Sequence, residues 1–216
     1  MSSAIQINVS TSSQEINWST QIPNLPAAIP PTIQVNGINI QPSTPSVSPT
    51  GFQLVVFDIT QTIPTPASIL VNQYLPVTAA QYGSPGDNSW ASSYAYVYSW
   101  LVNYLLLNGN PTNQLIILAS YGLDANMAPD NDGLAELIDN GAGSQVQYWL
   151  KHCDPGSQVG NSTSWVSYPA NYIFIGFGDS GYGAGNEIYQ SAGSSNSVKS
   201  SLNVTLDMGA KLVRAA

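Results

Sequence analysis

Apolar and polar side chains alternate near both ends of the chain. Residues 5–9 (IQINV) and residues 201–208 (SLNVTLDM) each follow a period of two, which predicts a half-buried strand in each segment. Residues 33–35 and 38–40 alternate in the same way on either side of Asn36-Gly37. Because Asn and Gly both tolerate positive φ, this pair predicts a β-hairpin with a type I′ turn.

Three further segments are almost continuously apolar and have the length of a strand. They are residues 52–59 (FQLVVFDI), 115–120 (LIILAS) and 172–177 (YIFIGF). Short apolar runs of this kind are typical of strands that are buried on both faces. The sequence therefore predicts three core strands in the central part of the chain.

Helical spacing separates these core strands. Apolar residues recur every three or four positions from Trp90 to Leu105, after Asp87 or Ser89 as the N-cap. A second, shorter helix is predicted to follow Asp130 or Asn131 and to end at Gly141, with its apolar residues at Leu134, Leu137 and Ile138.

The order strand, helix, strand, helix, strand over residues 51–178 favours an α/β class. We expect a mixed α+β sandwich in which helices flank a central mixed β-sheet, with extra antiparallel strands from both chain ends. Three units are predicted. Residues 1–50 form a strand and hairpin arm with Pro-rich linkers, residues 51–190 form the α/β domain, and residues 191–216 form a Ser-rich segment and a strand.

Composition excludes several classes of function. The 216 residues include 4 Lys and Arg against 12 Asp and Glu, for a net charge of -8. So few cations argue against nucleic acid as a partner. The hydrophobic fraction of 43% argues against a disordered acidic chain. No apolar run approaches the ~20 residues that span a bilayer, so membrane insertion is not expected.

The first residues have neither a basic region nor a continuous apolar stretch, so no signal peptide is predicted. The polar, charge-poor composition is nevertheless typical of proteins that work outside cells. A virion or other extracellular particle assembled in the cytoplasm reconciles the two observations. A mature secreted protein is the alternative.

The segment Gly176–Gly181 (GFGDSG) matches three catalytic patterns but lacks the context that each requires. No helix is predicted after it to bind a dinucleotide, and no His follows residue 152 to activate Ser180 as a nucleophile. We therefore assign no catalytic residue and expect no enzyme. The segment is interpreted as a glycine-rich turn that allows close backbone approach after a core strand.

Metal sites are also weakly supported by the sequence. His152 and Cys153 are the single residues of their types, and zinc needs more nitrogen or sulfur ligands than they supply. The acids between Asp124 and Asp132 resemble part of a calcium loop, but their spacing does not match one, and helix capping is the competing interpretation. No metal and no cofactor is predicted.

Aromatic residues near loop carboxylates and amides suggest a platform for glycans. Aromatic faces stack on sugar C–H groups, and Asp or Asn side chains hydrogen-bond to hydroxyl groups. Trp149, which follows Val146 at helical spacing, is assigned to the core instead. The candidate ligand-binding residues are Trp165, Tyr182, Asp179, Asn186, Tyr121 and Asp124.

The central region also resembles a known family. The segments that carry the resemblance are Gly51–Asp58, Leu115–Asp124, Leu137–Gly143 and Tyr172–Gly176, in this order. Together they are similar to the interleukin-like EMT inducer (ILEI) domain of a cytokine-like family. The resemblance implies a compact mixed α/β sandwich without catalytic machinery, used in signalling or in carbohydrate recognition. Because the disulfide cysteines of the secreted animal members are missing, the domain looks like a microbial or phage version.

These observations favour a non-enzymatic binding and assembly module, a structural or adhesion component of a phage or phage-like particle. The expected partners are neighbouring protein subunits, including further copies of the chain in a homo-oligomer, and a cell-surface glycan. A free secreted lectin-like or cytokine-like domain is the alternative. A hydrolase using Ser180 or a pair of acids is a third.

Overall fold

A computed structural model describes most of the chain, namely residues 4–14, 29–45, 50–76, 111–124, 128–129, 131–152, 169–193 and 195–216. The two α-helices of these ranges are α1 (Asn131–Asp139) and α2 (Ser144–His152). The strands are β1 (Ile5–Gln14), β2 (Thr32–Val35), β3 (Ile38–Asn39), β4 (Gly51–Asp58), β5 (Ile69–Pro76), β6 (Gln114–Tyr121), β7 (Leu123–Asp124), β8 (Pro169–Phe177), β9 (Asn186–Ser191), β10 (Ser197–Asp207) and β11 (Leu212–Ala215).

The strands form two sheets. The first sheet has five strands in the order β11-β10-β1-β2-β3. The second sheet has the order β5-β4-β6-β8-β9, and β7 continues the line of β6 along the end of β8. Every pairing between described strands is antiparallel. The fold is therefore a β-sandwich, and the predicted α/β class with a central mixed sheet is wrong.

The error has a topological cause. An alternation of strands and helices suggests parallel crossovers, but it does not fix the direction in which the chain returns. Here β4, β6 and β8 are neighbours, and each runs antiparallel to the next. The helix predicted between Trp90 and Leu105 lies outside the described residues.

Each strand of the second sheet contributes to two cores. In β4, Val55 and Phe57 face the first sheet, whereas Leu54 and Val56 face the helices. Alternate side chains of a strand point to opposite faces, so an apolar run such as β4 is buried on both sides. The described residues thus form three layers, with the second sheet in the middle and α1 and α2 on its outer face.

The chain ends are part of the sandwich. β1 lies between β2 and β10, with Ile7 paired with Val204 and Val9 paired with Leu202. All four side chains belong to the buried cluster between the sheets. The three segments that the sequence suggested as separate units therefore share one hydrophobic core.

A buried polar seam joins the sheets beside this core. The Asn171 side chain accepts a hydrogen bond from Ser13 Oγ (2.7 Å) and donates one to Ser200 Oγ (3.1 Å). Ser13 Oγ also accepts the Leu123 N–H (3.0 Å), and Thr11 Oγ1 donates to the Ser120 carbonyl. Buried polar groups that find partners in this way fix how two apolar surfaces are aligned.

Candidate functional site

The carboxylate of Glu187 holds the outer layer on the second sheet. Its Oε1 accepts the N–H groups of Gly143 (2.7 Å) and Gln145 (2.7 Å), and its Oε2 accepts the N–H of Val146 (3.2 Å). Oε2 also accepts the Tyr172 hydroxyl (2.8 Å). The first N–H groups of a helix have no partner within it, so this carboxylate from β9 satisfies the start of α2.

Replacing Glu187 by Gln is expected to lower the free energy of unfolding by ~1–3 kcal/mol. The amide keeps one acceptor oxygen but turns an NH₂ group toward backbone donors. The measurement is urea unfolding followed by circular dichroism. Asp179→Asn is the matched control, because Asp179 is an exposed carboxylate. Equal losses in the two variants would contradict this role of Glu187.

The glycine-rich turn after β8 is attached to the end of α1 through its backbone. The N–H groups of Gly181, Gly183 and Gly185 donate to the carbonyls of Asp139 (3.0 Å), Ala142 (3.1 Å) and Gly141 (2.9 Å), in that order. A Cβ on Gly185 would lie 2.7 Å from the Ile175 oxygen. The predicted turn with close backbone approach is confirmed.

Ser180 lies within this turn and its hydroxyl is already engaged. Ser180 Oγ donates to the carbonyl oxygen of Phe177 (2.6 Å), three residues earlier. A nucleophilic serine needs a base to which it donates its proton. The local geometry therefore gives Ser180 a role in closing the turn.

Gly178→Ala is expected to destabilise the protein by about 1–3 kcal/mol or more. A Cβ at this position would overlap the carbonyl of Pro111, and backbone atoms on both sides must move to relieve the clash. Gly209→Ala is the control, because the nearest atom to its Cβ is a side-chain oxygen at 3.6 Å. Thermal unfolding of both variants tests the prediction, which an unchanged melting temperature for Gly178→Ala would refute.

Aromatic rings fill the space between α2 and the second sheet. Trp149 is 0% exposed and stacks on Tyr189 of β9, with 5.2 Å between centroids and 13° between planes. Its ring also lies 5.3 Å from that of Tyr172. The assignment of Trp149 to the core is therefore confirmed. Tyr148, the residue before it in α2, points outward with 53% of its surface exposed.

Three tyrosines that are exposed or half-buried lie on the elements of this layer, one each on α2, on β9 and on the glycine-rich turn. Tyr148 lies 6.3 Å from Tyr189, which is half-buried. Tyr182 is 58% exposed on the glycine-rich turn, next to Gly183, whose Cα lies 3.2 Å from a Cβ built on Gly143 just before α2. We call Tyr148, Tyr182 and Tyr189 the tyrosine surface. Its supports are the Glu187 carboxylate, the Trp149 stack and the backbone bonds of the turn.

The sequence named Tyr182 but not Tyr148 or Tyr189. Helical spacing contained a usable signal for Tyr148. Val146 and Trp149 face inward three residues apart, and a neighbour rotated by about 100° then faces outward. Tyr189 had no such signal, because β9 follows a glycine-rich segment and was not predicted.

The structure separates the residues of the predicted glycan platform. Asp179 and Tyr182 are exposed in the turn that follows β8. Asp124, in β7, pairs with Pro169 at the opposite end of β8. The nine residues of β8 span ~26 Å, because eight steps of ~3.3 Å separate its two ends. The side chain of Asp124 and the whole of Trp165 lie outside the described residues.

Two other residues of the predicted platform, Tyr121 and Asn186, do not lie on the surface that carries Tyr182. Tyr121 is 0% exposed, and its ring meets Tyr74 edge to face at 5.7 Å. Asn186 pairs with Ile175, a residue of the core between the sheets, so it lies on the face of β9 turned away from the helices. Only Asp179 and Tyr182 of the described candidates are thus on the same loop.

Acidic side chains flank the turn on the side of α1. Burial raises the pKa of Glu136, and the charges of Asp139 and Asp179 act in the same direction. A hydrogen bond from Asn140 Nδ2 to Glu136 Oε1 (3.0 Å) opposes the rise. These carboxylates give the surroundings of Tyr182 a negative potential.

Glu136 is expected to lower stability as it ionises. Its folded-state pKa is above the ordinary value of 4.5, so the folded protein binds more protons than the unfolded chain just above that pH. Stability from this group is therefore complete below its unfolded pKa and is lost as pH rises through the folded pKa. Glu136→Gln should remove this loss of stability. Urea unfolding of the wild-type protein and the variant, measured at intervals of ~one pH unit between pH 4 and pH 7, tests the expectation. Parallel stability curves would refute it.

The remaining chemistry of the described residues is sparse. Within the described ranges, no three His, Cys, Asp or Glu side chains are grouped to hold a metal ion. Cys153 and Asp130 lie outside those ranges, as does the side chain of His152. No described helix is long and apolar enough to cross a membrane.

Comparison with models of known protein families finds no match. Comparison with curated proteins finds no match either. The resemblance of residues 51–190 to the ILEI domain stays a prediction.

Proposed function

We propose that the chain is a non-enzymatic binding and assembly module, a structural or adhesion component of a phage or phage-like particle. Its place is the tail, the baseplate or the capsid surface. The tyrosine surface binds a neutral glycan. The observation that carries the proposal is the exposure of Tyr148 and Tyr182 on a layer held by the Glu187 carboxylate and the Trp149 stack.

The chemistry of the surface supports a glycan as ligand. A tyrosine ring offers a flat apolar face to sugar C–H groups, and its hydroxyl group offers a hydrogen bond. Asp179 lies on the same turn as Tyr182, and an exposed carboxylate accepts hydrogen bonds from sugar hydroxyls. Because Glu136, Asp139 and Asp179 create a negative field, anionic glycans are disfavoured. This leaves neutral glycans as the matching class.

The first sheet supports the assembly part of the proposal. Between Lys199 and Arg214, its outer face carries uncharged polar side chains in register across strands, with Asn8 opposite Asn203 and Ser10 opposite Ser201. All four are exposed. The amide and hydroxyl groups of these four residues supply hydrogen bonds to a neighbouring subunit, and the polar rim of a protein interface is typically made of such groups.

Binding to an array of neutral and anionic glycans tests the ligand class. Tyr148→Ala and Tyr182→Ala are each expected to weaken binding to the selected neutral glycan by about tenfold, in line with loss of an aromatic contact. Tyr182→Phe should retain most of the affinity, because it keeps the ring. Leu212→Ala is the control, since Leu212 is an exposed apolar residue of the first sheet. An affinity for the glycan that is unchanged in both Tyr148→Ala and Tyr182→Ala would overturn the glycan proposal. So would the absence of binding to every glycan on the array.

Light scattering on the full chain tests assembly separately. A defined oligomer, unchanged in Tyr148→Ala and Tyr182→Ala, is the expected result. A monomer at every concentration would overturn the assembly proposal. Glycan binding by that monomer would then favour the free lectin-like alternative.

A further inference from the structure

The turn between β2 and β3 exposes an Asn-Gly pair. Asn36 has φ of +50° and Gly37 has φ of +77°, and both residues are exposed. No atom lies within 4 Å of the position where a Cβ on Gly37 would be. The turn is attached to β1 through Asn36, whose N–H donates to the Gln6 carbonyl (2.8 Å) and whose Oδ1 accepts the Gln6 N–H (2.9 Å).

We propose that Asn36 is a site of spontaneous deamidation. The Gly37 amide nitrogen attacks Asn36 Cγ, forming a new C–N bond. The Cγ–Nδ2 bond breaks, and the side-chain nitrogen leaves as ammonia with the proton of the Gly37 amide. Water then opens the succinimide ring at either carbonyl, which gives aspartate or isoaspartate. No enzyme and no further co-reactant is needed.

The position of the pair in the fold favours this reaction. Attack requires the turn to leave its left-handed conformation and to release Gln6. β3 is only two residues long and lies at the edge of the first sheet, so few contacts resist that opening. Edge elements with few buried contacts open at low free-energy cost. Gly37 also lacks the side chain that hinders attack in other residues.

A second Asn-Gly pair provides a control within the same chain. Asn140 is 3% exposed, and its Nδ2 donates to the Glu136 carbonyl (2.7 Å) and to Glu136 Oε1 (3.0 Å). The following Gly141 is covered, because a Cβ on it would lie 2.7 Å from Ser180 Oγ. Deamidation at Asn140 therefore needs a much larger opening. A third pair, at 108–109, lies outside the described residues.

The product changes the edge of the sheet. Isoaspartate adds a methylene group to the main chain, so the N–H and the side-chain oxygen of residue 36 can no longer both reach Gln6. Either product also adds a negative charge to a turn that has none. We expect the β2–β3 turn to separate from β1 after the reaction.

Incubating the purified full-length protein at mildly alkaline pH tests the proposal. Peptic digestion at low pH, followed by mass spectrometry with electron-transfer fragmentation, locates the amide-to-acid conversion and separates isoaspartate from aspartate. Asn36 is expected to react at least about tenfold faster than Asn140, because the two sites differ in opening cost. Amide hydrogen exchange should show loss of protection at Gln6 in the aged protein. Asn36→Gln should abolish both changes.

A rate at Asn36 equal to or below that at Asn140 would overturn the proposal. So would conversion at Asn36 with no isoaspartate, since direct hydrolysis gives aspartate alone. The peptide measurement reads residue 108 separately, so reaction there does not affect the comparison.

Discussion

A fragment of residues 51–190 is expected not to fold, although it contains almost all of the second sheet together with α1 and α2. Removing the chain ends strips the first sheet from a core that it shares with β4, β6 and β8. Burial of each apolar side chain contributes about 1.5–3 kcal/mol, and nine such residues would be lost against a typical net stability of ~5–15 kcal/mol. The residues of the buried cluster between the sheets that the fragment lacks are Ile7, Val9, Ile33, Val35, Ile40, Leu202, Val204, Leu206 and Val213.

Circular dichroism and urea unfolding of the fragment and the full chain test this expectation. A matched pair in the full chain separates the loss of the core from the loss of chain length. Ile7→Ala should cost about 2–5 kcal/mol, whereas Asn8→Ala on the outer face should stay within ~0.5 kcal/mol. Cooperative unfolding of the fragment would contradict the shared core and would restore the ends as separate arms.

Trp149→Ala is expected to cost about 3–5 kcal/mol, the usual range for truncating a large buried aromatic residue. The ring packs against those of Tyr172 and Tyr189, which are paired across β8 and β9, so its removal leaves a cavity under α2. We also expect weaker glycan binding, because Tyr148 and Tyr189 lose the support that fixes their positions. Urea unfolding measures the first effect, and the glycan array measures the second.

Tyr148→Ala is the control for Trp149→Ala, because the two residues are adjacent and differ in burial. Because Tyr148 is exposed, Tyr148→Ala should lower the free energy of unfolding by less than ~1 kcal/mol. It should nevertheless weaken glycan binding. Trp149→Phe should recover part of the stability, since it keeps an aromatic ring. Equal stability losses at positions 148 and 149 would show that Trp149 does not hold α2 on the sheet.

Local pattern was sufficient for many elements of this fold. The alternation at residues 5–9 lies within β1, and that at 201–208 lies largely within β10. The predicted turn at Asn36-Gly37 and the core strands β4, β6 and β8 are also present. In each case the side-chain period is set by burial on one face or on both, which the sequence records directly.

Two strands of the second sheet had weaker signals. Prolines at 64, 66 and 76 interrupt the apolar pattern after β4, yet β5 runs from Ile69 to Pro76 as an edge strand. Edge strands tolerate proline at their ends, because one side of the strand has no partner to hydrogen-bond. β9 is partly exposed along its whole length, so it has no apolar run to reveal it.

For the candidate site, too, the sequence predicted some features correctly and others wrongly. Sequence spacing placed Trp149 in the core and identified Tyr182 as a loop residue. It also grouped Tyr121 with Tyr182, although the first is buried beside Tyr74 and the second is exposed after β8. Nothing in local sequence says at which end of a sheet a residue will lie.

Local sequence was enough to locate β1, β4, β6, β8, β10 and α1, the glycine-rich turn after β8 and the burial of Trp149. Only the tertiary structure decided that the strands pair antiparallel, that the chain ends form one of two packed sheets and that Glu187 meets the start of α2. The difference comes from the distance along the chain over which each interaction acts. Periodicity and turn chemistry act between residues a few positions apart, whereas strand order and sheet packing depend on contacts such as Ser13 with Asn171, 158 positions along the chain.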